Sequence, residues 1–189
     1  MKQTDFALHL THFLKIYLPS RRDLSENTIA SYSASFRFFL IFSEEVLKIS
    51  AEKITLNDFT EENICKYINW LAVERGNSAA TQKQRLAAIH VFVRYLKTRS
   101  PEYLLEYQKI LDIKVATIKQ NSIGHFTPDE VKAILSGPDT STFFGRRDMV
   151  LLALLYDSAA RVQEICDLKV GDLRLKKPYA VSLTGKGRK

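Results

Sequence analysis

The stretch RDMVLLALLYDSAARVQEICDLKVGDL, Arg147 to Leu173, decides how the rest of the chain is read. Its apolar run Met149–Tyr156 is far short of the roughly 20 residues that cross a bilayer, so it reads as a buried helix of a globular domain. The helix breaks near Ser158, Ala159 and Ala160, and a second short helix resumes with Val162, Ile165 and Leu168 on its apolar face. Arg161 sits at that junction, which places a guanidinium close to the domain core. Burying a guanidinium is costly unless it is paired or faces a ligand. Glu164, three positions on, is the candidate partner, and a purely structural ion pair stays open beside a functional role.

Upstream, HFTPDEVKAIL starts a helix by rule: Thr127 as N-cap, Pro128 at the first helical position, and Glu130 closing a capping box. A new domain therefore begins near Ile123. Downstream the period changes from helical to alternating at Tyr179, Val181 and Leu183, and Thr184-Gly185-Lys186-Gly187 supplies a turn. The end of the chain is expected to be the first strand and turn of a hairpin with no partner strand, leaving this domain with a small core. The Gly-Lys-Gly is not a phosphate-binding loop, because Gly187 stands where Ser or Thr is needed and no glycine lies at the required upstream spacing.

The first 119 residues are helical by period. Phe6, Leu10, Phe13, Leu14 and Tyr17 share one face. A second helix starts at Ser25 or Asn27 and ends near Phe42, a third starts at Thr60 and stops at Gly76, and a fourth, capped by Asn77 or Ser78, runs to Lys97. Each has one apolar face, so residues 1–102 make a four-helix bundle. The pattern weakens over 103–122, which is expected to be a linker or a loosely held connecting helix. The fourth helix carries a second stripe, Lys83, His90, Arg94 and Lys97, within about 60° of arc; it is either a phosphate-binding ridge or an ordinary solvated face.

The net charge of +7 lies in blocks. Residues 1–74 hold eight Lys/Arg against ten Asp/Glu, residues 75–119 hold nine against three, and residues 174–189 hold six and no acid. Such blocks favour a polyanionic partner. Cys65 and Cys166, inside apolar helical patterns, are expected to be reduced core thiols. No membrane span and no secretory signal is read in the sequence, so a cytoplasmic, nucleoid-associated protein is expected.

The quoted segment, followed at the right distance by LTGKGRK, resembles the opening of the catalytic domain of the tyrosine recombinase (phage-type integrase) family, and HFTPDEVKAIL resembles that domain's first helix. LSENTIASYSASFRFFLIF and NSAATQKQRLAAIHVFVRYL are similar to the first and last signature helices of its N-terminal core-binding domain. The resemblance implies a mainly α fold: a four-helix SAM-like core-binding domain followed by a truncated α+β catalytic domain over 123–189. It implies double-stranded DNA as partner and site-specific recombination or integration as the parent activity. Arg161 matches the first catalytic arginine, Lys186 the catalytic hairpin lysine and Glu164 the acid beside the arginine, while Lys83, His90, Arg94 and Lys97 fall in the DNA-binding domain. No cofactor or metal is implied. The family's His-x-x-Arg box and tyrosine nucleophile have no match here, and Tyr156 and Tyr67 read as core. The chain is therefore expected to bind duplex DNA without cleaving it, as a monomer in solution whose full-length form is a tetramer on DNA. A non-catalytic DNA-binding accessory or regulatory protein derived from a recombinase is the alternative, and a helical protein-interaction module with an incidental basic stripe is a third. The family's Thr-Gly-Leu before the arginine is Ser158-Ala159-Ala160 here, so a residue suited to positive φ is replaced.

Overall fold

The computed structural model describes residues 3–21, 24–115 and 124–185. The chain divides into two compact units, residues 1–120 and 121–189.

In the first unit each main helix begins where a side-chain oxygen takes up a free backbone N–H. Thr4 caps α1 (Asp5–His12), Ser25 caps α2 (Glu26–Phe42), Thr60 caps α3 (Glu61–Val73) and Ser78 caps α4 (Ala79–Leu96). α1 and α2 each continue into a single π-helical turn, Phe13–Tyr17 and Ser43–Leu47, the second closed by Lys48 in the left-handed region. The apolar faces meet in an aromatic core around Phe92, whose ring centroid lies 5.0 Å from those of Phe13 and Phe36, 5.7 Å from Phe59 and 5.8 Å from Phe6. Tyr67, fully buried, donates its hydroxyl to the Ser35 carbonyl at 3.1 Å. Trp70 is 5% exposed, with the Arg75 guanidinium over its ring at 4.5 Å.

A fifth helix, α5 (Leu104–Asp112), packs against α3 and α4, so the expected linker starts too early. Tyr107 and Ile110 are fully buried, and the Glu106 carboxylate accepts the Glu61 N–H at 2.6 Å. Two buried positions in nine residues are too few to set up a visible period.

The second unit opens with α6 (Pro128–Ser136) under the expected capping box, Thr127 N–H to Glu130 at 2.7 Å and Glu130 N–H to the Thr127 hydroxyl at 3.3 Å. α7 (Phe143–Ser158) is capped by Thr142, which accepts from Gly145 N–H at 2.9 Å. A β-carbon on Gly145 would stand 1.8 Å from the Asp139 carbonyl oxygen, so only glycine fits this turn. α8 (Val162–Cys166) follows, then a 3₁₀ turn at Val170–Asp172.

The terminal strand does have a partner. β1 (Leu173–Arg174) pairs antiparallel with β2 (Ala180–Val181), Leu173 opposite Val181 and Arg174 opposite Ala180. β1, two residues long, carries no alternation to read. α7 is also not the buried helix its composition suggests. Val150 is 57% and Tyr156 61% exposed, and Ile165 is the one buried large apolar side chain among this unit's described residues. α7 packs chiefly on α6 and α8, and much of its apolar surface stays exposed. Both cysteines are free and exposed rather than core thiols. Among the described residues no helix is long and apolar enough to cross a membrane.

Candidate functional site

Arg161 owes its position to how α7 ends. Ala159 closes that helix in the left-handed conformation, φ 48° and ψ 27°, and the chain re-enters extended geometry at Arg161, φ −72° and ψ 146°, the N-cap of α8. Glu164, on the first turn of α8, folds back on it with both oxygens: Oε2 accepts the Arg161 backbone N–H at 3.0 Å and Oε1 accepts the guanidinium at 2.7 Å. These bonds, the backbone one first, hold the Glu164 carboxyl below the usual carboxylate range. One anion therefore fixes main chain and side chain together.

The arginine is not buried as expected. Its side chain is 74% exposed, against 14% for Glu164, because a five-residue helix whose buried side chain is Ile165 places the junction at the unit's surface. Only one guanidinium nitrogen meets a carboxylate among the described residues; the rest of the fork faces solvent. Gly185 completes the group. A β-carbon there would lie 3.3 Å from Glu164 Oε1 and 4.0 Å from the guanidinium, so the segment after β2 runs against the ion pair. Lys186 lies outside the described residues.

The basic stripe of α4 is unequal. Arg94 is exposed, while Lys83, His90 and Lys97 are partly covered. His90 is committed to the fold: Nε2 donates to the Ile110 carbonyl at 3.0 Å, tying α4 to α5. Burial pushes its pKa down, so the ring is neutral near pH 7 and adds no charge. The stripe's cations are Lys83, Arg94 and Lys97. Sequence reading passed over the arginines laid on aromatic rings: Arg85 over Phe38 at 3.8 Å, Arg99 over Tyr95 at 4.1 Å and Arg21 over Tyr17 at 4.8 Å. The last two are Tyr-x-x-x-Arg pairs, a spacing that puts guanidinium above ring on a helix and was there to be found.

Residues 15–103 match the family model for the phage integrase N-terminal SAM-like domain. Over 188 residues, all of this chain, the sequence is 32% identical to a protein of Sinorhizobium fredii assigned as an integrase/recombinase, y4rC, covering 57% of that protein. The chain is similar over its length to integrases and tyrosine recombinases. It is also 29% identical over 185 residues to the tyrosine recombinase XerD of Listeria monocytogenes, covering 98% of this chain and 58% of that relative. It thus spans a little under three fifths of the length of these two relatives. Its fold matches the XerH site-specific recombinase, solved with a palindromic difH substrate in a post-cleavage complex, with a TM-score of 0.60 at 20% identity over 93% of this chain and 51% of that one.

Proposed function

We propose that this chain binds duplex DNA and supplies the first arginine of a phosphate-handling site for site-specific recombination. The observation that carries the reading is the Arg161–Glu164 pair, a guanidinium aligned by one carboxylate with most of its fork open to solvent. Cleavage of a phosphodiester by a tyrosine passes through a pentavalent phosphorane, and a preset guanidinium aimed at the nonbridging oxygens stabilises the charge that develops there. The family resemblance assigns Lys186 the role of the hairpin lysine at this site. An ammonium so placed can protonate the departing 5′ oxygen as a general acid. Energy conserved in a phosphotyrosine linkage leaves no need for a nucleotide or metal.

The nucleophile is not proposed within this chain. Tyr67, Tyr95 and Tyr107 are buried, and the family resemblance matches none of the chain's tyrosines to the nucleophile. The chain alone is expected to bind DNA and leave its strands intact. Binding to a labelled duplex, followed by fluorescence anisotropy across a salt series, tests the reading. Each phosphate contact contributes about 0.9 to the slope of log affinity against log salt. K83A/R94A/K97A is expected to bind more weakly with a flatter slope, and equal affinity and slope would refute the ridge as a phosphate contact.

A further inference from the structure

We infer that Tyr17, Arg21, Tyr95 and Arg99 form a second phosphate contact for the DNA backbone, on a surface of the first unit separate from the α4 ridge. The inference rests on the DNA-binding reading above. Tyr95 follows Arg94 directly and so stands about 100° further round α4, which puts the cluster on another flank.

Four observations carry it. The Tyr17 and Tyr95 rings adjoin, with centroids 4.9 Å apart. Arg99 lies over both, 4.1 Å from the Tyr95 centroid and 5.6 Å from that of Tyr17, and Arg21 lies 4.8 Å from the Tyr17 centroid while donating to its hydroxyl. Neither arginine has an ion-pair partner among the described residues, and both are exposed. The rings themselves are anchored, since Tyr95 meets His12 Nδ1 at 2.9 Å and Tyr17 stacks on buried Phe13 with centroids 5.8 Å apart.

Two like charges about one ring repel at a separation within the Debye length of roughly 8 Å at physiological salt or little beyond it. A pair held there with no ion-pair partner among the described residues gains most from an added anion. Stacking also fixes the guanidinium planes in advance, so less side-chain freedom is lost when they meet phosphate oxygens. Phosphates along a strand recur about every 3.4 Å of helix axis, and a two-arginine cluster spans neighbouring ones.

The test compares the parent chain, R21Q/R99Q and R21K/R99K by anisotropy on a labelled duplex between 50 and 200 mM salt, with circular dichroism to confirm folding. Loss of two contacts flattens the slope by about 1.8, so the parent should lose about tenfold more affinity over that range than R21Q/R99Q. R21K/R99K, which keeps the charge, should keep most of the slope. A parental slope in R21Q/R99Q overturns the inference, as does an equal loss in the lysine variant, which would trace the effect to packing. Absence of salt-dependent binding by the parent would instead refute the DNA reading itself. Parental behaviour of R21Q/R99Q alongside a flattened slope in K83A/R94A/K97A would leave that reading intact and remove this one.

Discussion

Ala159 adopts φ 48° and ψ 27° although it carries a β-carbon. For an L-residue the left-handed region costs about 1–2 kcal/mol, because the β-carbon crowds the following carbonyl. Glycine enters it freely, at the expense of a floppier unfolded chain. The methyl is exposed, so removing it leaves no cavity. A159G is expected to stabilise the second unit by about 0.5–1 kcal/mol net, seen as a higher urea midpoint with an unchanged m-value. The family resemblance puts a glycine at this place, and the backbone here keeps the geometry a glycine would take. The Ser158-Ala159-Ala160 segment therefore carries strain at the junction, and Glu164 holds both groups of Arg161 there.

At the scale of elements, the contact between α4 and α5 is a pH-dependent one. His90 is held below its ordinary pKa by burial, partly offset by its bond to the Ile110 carbonyl. A depressed folded-state value means that the unfolded chain binds the proton first. The stability from the neutral ring is thus complete above about pH 6.5, the unfolded value, and is lost as pH falls from there toward the folded value. The first unit should lose stability between pH 7 and 5, and H90Q, which keeps a donor for Ile110 but cannot titrate, should show a flatter loss by denaturant titration at each pH. His9, also pushed down by burial, leaves a residual slope. This helix also marks where sequence reading failed. α1 to α4 were legible because cap residues and apolar spacing over ten or more residues agree. α5 was not, since Tyr107 and Ile110 gain their burial from α3 and α4, which no local window contains. α7 was misjudged for the converse reason: a helix apolar on every side becomes buried only if neighbours cover every side. His90 passed for a cation because spacing gives its direction round the helix and says nothing of the carbonyl waiting there. Arg161 and Glu164 were found as a pair from their spacing, but their exposure depends on the size of the surrounding core.

Across the whole molecule the two units differ in what holds them. The aromatic core belongs to the first, whereas the described part of the second exposes Phe126, Phe143, Phe144 and Tyr156 by more than 60% each. Stability follows buried apolar area, and local opening follows local stability. Hydrogen exchange is expected to be fast in α6, α7 and α8 and slow in α2, α3 and α4; comparable protection in both units would contradict this distribution. The contrast has a practical side. Trp70 is the only tryptophan in the sequence and lies 5% exposed beneath Arg75 in the first unit. Its emission is consequently an optical reporter of that unit alone, blind to melting of α6 to α8, so fluorescence and far-ultraviolet dichroism recorded on one sample resolve the two transitions without any label.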